Sequence, residues 1–227
     1  MPDPVPRLTP RPLSRAVRLA SLVHTGIRTI TAQIEPYTAW WDAQNQAAAG
    51  GDGPLLVAVG DSTAIGIGAS APDRSYVGLL HRRLQERDPA WRVVNLALSG
   101  ARVADALDRQ LPALADLAAD LVVCCIGTND LVWGKETTAL RAQLRRVVAE
   151  LPDGAVVGRP AGGSPRARMA ARALHNAGRE RGLAVIDPWA EPTPEGRERL
   201  AVDRFHPNDL GYELMAVPYA RALGLIP

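Results

Sequence analysis

Residues 55–63 read LLVAVGDST, a run of five apolar residues followed by a glycine, an aspartate and a serine. The run Leu55–Val59 lacks the alternation of apolar and polar residues that a half-exposed strand shows, so it predicts a strand buried on both faces. Gly60 and Asp61 favour a turn where this strand ends. The pattern therefore places the Ser62 hydroxyl at the carboxyl end of a buried strand.

Similar apolar runs recur along the chain and alternate with amphipathic segments. The predicted strands are Leu55–Val59, Val93–Leu98, Leu121–Ile126, Ala155–Val157 and Leu183–Ile186, and apolar residues at helical spacing predict helices over Tyr76–Arg87, Val103–Leu117 and Leu140–Leu151. Strands that alternate with helices pair in parallel through right-handed crossovers. We therefore predict an α/β protein, a three-layer α/β/α sandwich around a five-stranded parallel sheet. Sites in such sheets form at the carboxyl ends of the strands.

Ser62 lies where a nucleophile of this fold class would lie, and it also has a structural interpretation. Aspartate and serine accept hydrogen bonds from the first backbone N–H groups of helices, so Asp61 and Ser62 could simply cap the next helix. The tripeptide Gly60-Asp61-Ser62 alone does not decide between a nucleophile and a helix cap.

Two further strand ends carry hydrogen-bond donors. Gly100 follows the second strand and offers a backbone N–H that no side chain obstructs, and Asn129 follows the third strand with a side-chain amide. Each residue alone is typical of an ordinary turn. At one sheet edge with Ser62, the two together could form an oxyanion hole.

Asp203 and His206 stand three residues apart before the last amphipathic segment. A carboxylate at this spacing can hold the ring Nδ1–H and leave Nε2 free to accept the proton of a serine. The alternative is an N-cap aspartate and a surface histidine ahead of a helix that begins near Pro207. The other histidines, His24, His81 and His175, are interpreted as surface or packing residues.

In combination these segments resemble a known family. The chain is similar to the SGNH hydrolases (GDSL-like lipases and esterases) in four blocks, which here are Gly60-Asp61-Ser62, Gly100, Gly127-Thr128-Asn129-Asp130 and Asp203-x-x-His206. The resemblance implies the flavodoxin-like SGNH hydrolase fold. It further implies Ser62 as nucleophile, Asp203 and His206 as its triad partners, and the Ser62 and Gly100 amides with the Asn129 side chain as oxyanion donors. Thr63 departs from the family, which usually has leucine there.

The resemblance covers residues 54 to about 224. We therefore expect a catalytic domain over residues 51–227 and an N-terminal helical extension over residues 1–50. No cofactor and no metal are expected, because the reaction that the resemblance implies needs neither. Gly66-x-Gly68-x-x-Ala71 mimics a dinucleotide fingerprint but begins after the strand has ended, and no acidic residue follows the second strand.

Charge and cysteine content limit the partners and the compartment. With 26 basic and 24 acidic side chains, the net charge of +2 is too even to indicate a nucleic-acid groove. Cys124 and Cys125 are adjacent and cannot join distant segments, which favours a reducing compartment. Arg15, Arg18 and His24 interrupt every candidate signal sequence. We expect a cytoplasmic protein that binds no nucleic acid.

The N-terminal extension contains one periodic apolar pattern, which predicts a single helix ending near Pro36. The stripe consists of Ala16, Ala20, Val23, Ile27, Ile30 and Ile34. Five arginines and no acidic residue lie between Arg7 and Ile34. Residues 14–35 could bind an anionic membrane surface, self-associate, or pack on the catalytic domain, and packing is favoured because most apolar stripes pack.

The function predicted from these features is that of a serine esterase acting on a small-molecule or lipid ester. A thioesterase, a lysophospholipase or an acyl transferase would use the same triad, and a flavodoxin-like binding module without turnover is the alternative from another class. Trp133 and Trp189 follow strand ends and could line an acyl pocket, although core packing is the commoner role of such residues.

Overall fold

The computed structural model describes residues 5–134, 137–193 and 197–227. Its centre is one sheet of five parallel strands in the order β2-β1-β3-β4-β5. The strands are β1 Leu55–Gly60, β2 Arg92–Asn95, β3 Leu121–Cys125, β4 Val156–Gly158 and β5 Ala184–Ile186. This strand order is the flavodoxin-like arrangement, so the predicted α/β class and parallel sheet are confirmed.

Helices flank the sheet. They are α1 Arg15–Val23, α2 Thr25–Thr31, α3 Ile34–Ala49, α4 Ser62–Ile65, α5 Tyr76–Arg87, α6 Val103–Asp105, α7 Leu111–Ala115, α8 Thr128–Trp133, α9 Thr137–Glu150, α10 Pro165–Arg181 and α11 Asp209–Ala222, with a 3₁₀ turn at Pro72–Arg74. Among the described residues, no helix is both long enough and apolar enough to cross a lipid bilayer.

Alternate residues of β1 enter two separate cores. Leu55, Val57 and Val59 pack with α9 and α10, whereas Leu56 and Ala58 pack with α3, α5 and α11. All six residues of β1 are buried, because a central parallel strand is covered on both faces. The sequence of β1 is therefore continuously apolar, and the three layers follow from this burial.

The second strand is shorter than predicted. The apolar run continues to Leu98, but β2 ends at Asn95, where the Asn95 side chain accepts a hydrogen bond from the Ala97 backbone N–H across 3.1 Å. This local bond forms a turn at the end of the strand, although the Leu96 N–H still donates to the Ala58 carbonyl of β1 across 2.9 Å.

The predicted helix Val103–Leu117 is interrupted. A π-helical segment, Ala106–Gln110, separates α6 from α7. Pro112 has no N–H to donate to Asp108, and its ring would clash with that carbonyl in a regular helix, so the wider turn relieves both problems.

The described residues 5–50 of the extension form three helices, so the prediction of one helix ending near Pro36 is wrong. The helical conformation ends at Val23 and again at Thr31. Pro36 lies in the first turn of α3, where the N–H that proline lacks would have no partner within the helix. The apolar stripe divides accordingly. Ile30 is buried in the core beside the sheet, whereas Val23 is exposed.

Helix α3 completes the edge of the sheet. The buried Asn45 side chain accepts a hydrogen bond from the Asn95 N–H (2.7 Å) and donates one to the Asn95 carbonyl (2.9 Å), so it satisfies the outer edge of β2. Arg92 of β2 donates in turn to the Ala48 carbonyl across 2.6 Å. The division into residues 1–50 and 51–227 stays a prediction. The hydrogen bonds between α3 and β2 cross this division.

We predict that Asn45→Ala lowers the free energy of unfolding by about 2 kcal/mol, because it leaves two buried backbone groups of Asn95 without a partner. Urea unfolding measures the change. Gln44→Ala on the same helix is the matched control and should cost less than about 0.5 kcal/mol. If Asn45→Ala unfolds like the control, α3 is not an integral part of the sheet.

Candidate active site

Ser62 begins helix α4 at the carboxyl edge of β1. The strand end is held by Gln110, whose side chain accepts from the Gly60 N–H (2.8 Å) and donates to the Gly60 carbonyl (2.9 Å). Asp61 is the N-cap of α4 and accepts from the Thr63 N–H across 3.0 Å. The capping interpretation therefore applies to Asp61, while the Ser62 hydroxyl is left for another partner.

That partner is His206. The ring Nε2 lies 3.0 Å from Ser62 Oγ, and the ring Nδ1 lies 2.6 Å from Asp203 Oδ2. In the neutral tautomer with the proton on Nδ1, the ring donates to the carboxylate and accepts from the serine hydroxyl. The structure thus brings together three residues that sequence analysis had proposed as a triad, two of them 144 positions apart.

The loop that carries Asp203 and His206 is tightly folded. Asp203 Oδ1 accepts from the backbone N–H groups of Phe205 (3.0 Å) and His206 (3.1 Å), and the His206 carbonyl accepts from the Ala201 N–H (2.8 Å). Arg204 has a φ of 57°, a left-handed conformation that is uncommon outside glycine. Helix α11 begins only at Asp209 with Asn208 as its N-cap, so Asp203 is not a helix cap.

Asp203 is held in its ionised form. Burial alone would raise the pKa of this carboxyl, but the hydrogen bond from the His206 ring, the charge of that ring and the two backbone N–H donors outweigh burial, so the pKa lies below the ordinary value of 3.8. The side chain is only 6% exposed. An ionised carboxylate in this position stabilises a protonated imidazole.

The proposed oxyanion donors lie at the same sheet edge. The backbone N–H groups of Ser62 and Gly100 have no acceptor among the residues that the structure describes. Gly100 has a φ of +74°, which an L side chain rarely adopts. Asn129 is buried and donates one amide hydrogen to the Ala101 carbonyl across 3.0 Å, so its orientation is held while its second hydrogen is available.

Residues 65–70, whose supporting role sequence analysis missed, pack against the loop that carries Asp203 and His206. Gly68 packs so closely that a Cβ there would meet the Pro207 carbonyl and lie 2.9 Å from His206 Cβ. Side chains of α3, of the residue before it and of α11 hold this segment by hydrogen bonds to its backbone. The Trp41 indole donates to the Ile65 carbonyl (2.9 Å), the Tyr212 hydroxyl to the Ile67 carbonyl (2.7 Å) and the Tyr37 hydroxyl to the Ala69 carbonyl (2.8 Å). The Gln33 side chain accepts from the Gly68 N–H (2.8 Å) and donates to the Ala69 carbonyl (3.0 Å). Much of this support comes from the N-terminal extension.

Apolar side chains on the site-bearing segments are exposed to solvent. Val202 and Phe205 flank Asp203, and the Phe205 ring meets the His206 ring edge-on with centroids 5.0 Å apart. Val132 and Trp133 follow Asn129 in α8, and the Trp133 side chain is 54% exposed. Core packing is therefore not the role of Trp133, whereas Trp189 is partly buried against the core.

The two cysteines and His81 lie outside the candidate site. Cys124 and Cys125 are free and buried, and burial raises the pKa of the Cys124 thiol to about 12. His81 is half-buried, and burial lowers its pKa. Within the described ranges, no group of three or more His, Cys, Asp or Glu side chains is arranged to hold a metal ion.

A flavodoxin-like sheet with a serine, a histidine and an aspartate joined by hydrogen bonds at its carboxyl edge is an arrangement typical of serine hydrolases. Residues 58–214 match the model of the GDSL-like lipase/acylhydrolase family. The chain belongs to this family of hydrolases, as the four sequence blocks indicated.

Individual relatives agree with this placement. The chain is similar to "Esterase TesA" of Pseudomonas aeruginosa, with 35% identity over 89 residues, and the alignment spans 39% of this chain and 44% of that protein. The crystal structure of TesA has a TM-score of 0.66 at 24% identity and covers 76% of this chain and 99% of its own. A catalytic mutant of Axe2, an acetylxylan esterase from Geobacillus stearothermophilus, has a TM-score of 0.61 at 25% identity. The match covers 77% of this chain and 95% of the Axe2 chain.

We predict that Asp203→Asn destabilises the protein in a pH-dependent way. A carboxyl whose pKa is lowered by folding stabilises the folded state above its ordinary pKa, and this contribution is lost as the pH falls through the folded pKa. The variant should therefore melt below the wild type at pH 7, and the gap should shrink as the pH falls below about 4. Thermal melts across this range measure the difference.

Asp52→Asn in an exposed loop is the control and should melt like the wild type at every pH. A gap for Asp203→Asn that stays constant from pH 7 to pH 3 would contradict the hydrogen-bonded, ionised state of Asp203.

Proposed function

We propose that the protein is a serine esterase that hydrolyses carboxylic esters through an acyl-enzyme on Ser62. The observation that carries the proposal is the hydrogen-bonded chain of Ser62, His206 and Asp203, with distances of 3.0 and 2.6 Å, beside backbone N–H groups that have no acceptor within the described part of the chain. Family membership supports a hydrolase and disfavours the alternative of a binding module without turnover.

In the acylation step His206 Nε2 takes the proton of the Ser62 hydroxyl as Oγ attacks the ester carbonyl carbon. The ring becomes positively charged, and the ionised Asp203 stabilises it through Nδ1–H. The carbonyl oxygen becomes an oxyanion that accepts from the Ser62 and Gly100 N–H groups and the Asn129 amide. His206 then gives its proton to the leaving alcohol, and the acyl group stays on Ser62.

The second half of the reaction repeats this chemistry with water. His206 removes a proton from a water molecule, which attacks the acyl carbon, and the same three donors hold the second oxyanion. Collapse of this intermediate breaks the bond to Ser62 Oγ, which recovers its proton from His206, and the acid is released. Every step uses groups of this chain, the ester and water.

We propose a small-molecule or lipid ester as substrate, with an apolar acyl group. The exposed Val202, Phe205 and Trp133 side chains on the site-bearing segments support an apolar acyl group. Thioesterase, lysophospholipase and acyl transferase activities would use the same residues. A panel of p-nitrophenyl esters of increasing chain length, with matched thioesters, separates them. The cytoplasmic location stays a prediction from the sequence.

We predict that Ser62→Ala and His206→Ala each reduce ester turnover by about 10³-fold or more, because each removes a group that the first step requires. Turnover of a soluble p-nitrophenyl ester is the measurement, and melting curves check that the variants fold. His175→Ala, an exposed histidine on α10, is the control and should keep wild-type turnover. Either variant retaining more than about a few per cent of the activity would exclude the assigned roles.

We predict that Asn129→Ala lowers kcat by about 10² to 10³ with little change in KM, because the donor acts on a charge that exists only in the transition state. Steady-state kinetics separate the two constants. A rise in KM at unchanged kcat would instead make Asn129 a residue that binds the ground-state substrate.

A further inference from the structure

Helix α1 exposes an apolar face. Leu19, Leu22 and Val23 are 65%, 73% and 77% exposed, and their spacing places them on one side of the helix. Exposed apolar residues are common singly, but three that adjoin on one short helix form a patch. Helix α2 and α3 bury Ile30, Tyr37 and Trp41 against the rest of the chain, so packing accounts for the later part of the extension and not for α1.

The same face of α1 is positively charged. Arg15 and Arg18 lie four residues before Leu19 and Leu22, on the same side of the helix, and both are exposed. Arg28 of α2 is exposed as well. Within the described residues, none of these three arginines has a carboxylate at ion-pair distance, and the segment from Arg7 to Ile34 contains no acidic residue.

The extension reaches the loop that carries Asp203 and His206. Gly26 of α2 packs so closely on Val202 that a Cβ there would overlap the Val202 carbonyl, and Asp203 N is also within contact distance. Val202 and Phe205 on this loop are themselves exposed and apolar. The basic apolar face of α1 is thus connected, through one short helix, to the exposed apolar side chains beside His206.

The charge of the patch distinguishes between two occupants. A symmetric contact with a second copy would bring the same arginines on both subunits together, and like charges at such a contact repel. An anionic lipid surface offers hydrocarbon for Leu19, Leu22 and Val23 and negative headgroups for the arginines, whose long side chains can reach the headgroups from a partly inserted helix.

We propose that α1 is a docking surface for anionic lipid membranes and that it presents the Ser62 site to esters held in the lipid. This inference rests on the proposed esterase function and narrows its substrate class to lipid esters. Because α2 directly follows α1 and packs on Val202, docking of α1 holds the loop of Asp203 and His206 near the lipid, where the exposed Val202 and Phe205 side chains can contact an acyl chain.

The test is the binding of full-length Ser62→Ala protein to phosphatidylcholine vesicles with and without phosphatidylglycerol, measured by co-sedimentation. This background removes hydrolysis, so failure of the proposed esterase function, seen separately with a soluble ester, does not affect the result. We expect binding to the anionic vesicles, weaker binding at high salt, and little binding to phosphatidylcholine alone.

Two sets of substitutions locate the surface. Arg15→Gln with Arg18→Gln should weaken vesicle binding by about 25-fold, since each basic residue near an anionic surface contributes about fivefold. Leu19→Gln with Leu22→Gln and Val23→Gln should weaken it at least as much. Arg141→Gln with Arg172→Gln, exposed residues on α9 and α10 across the sheet, is the matched control and should bind like the parent protein.

Three results would overturn the proposal. They are no binding of the parent protein to anionic vesicles, equal losses for the α1 pair and the control pair, and a dimer in solution that the triple α1 substitution converts to a monomer, because the patch would then be a self-association surface. Melting curves of each variant ensure that a loss of binding reflects α1 and not unfolding.

Discussion

The hydrogen bond between His206 Nε2 and Ser62 Oγ, 3.0 Å long, joins two segments that are 144 residues apart. A misplacement of either segment by one ångström would break it, so both must be held by more than their own local structure. The parallel sheet places Ser62 at the end of β1, and Gln110 clamps the last residue of that strand. On the other side, Asp203 holds the histidine ring and the backbone of its own loop.

The N-terminal extension belongs to this support. The family match begins at residue 58, yet Gln33, Tyr37 and Trp41 hydrogen-bond the segment against which the His206 loop packs. The extension therefore does two different things in this account. Its later helices stabilise the geometry of the site, and its first helix presents an unburied apolar face. A segment outside the family blocks thus supports the geometry of the candidate site and enters the proposed choice of substrate.

The sheet could be predicted from sequence because buried parallel strands leave a simple pattern. Leu55–Val59 is apolar without alternation since both faces are covered, and the turn after it predicts the position of Ser62 at the strand end. The support residues left no such signal. Gln110 and Gln33 are polar residues within or beside helices, and what they bind lies 50 and 35 residues away. The boundaries between α1, α2 and α3 are not predicted by the sequence, because the apolar spacing continues across them. Pro36 indicates a helix end in sequence because proline is disfavoured inside helices, but it is accepted in their first turn.

The central claim is that Ser62 is a nucleophile activated by His206, and covalent labelling tests it most directly. The wild-type protein would be treated with a fluorophosphonate, digested and mapped by mass spectrometry. The account predicts one phosphonyl adduct, on Ser62, and a greatly reduced labelling rate in the His206→Ala variant. An adduct on a different residue, no adduct at all, or labelling of Ser62 at an unchanged rate without the histidine would contradict it.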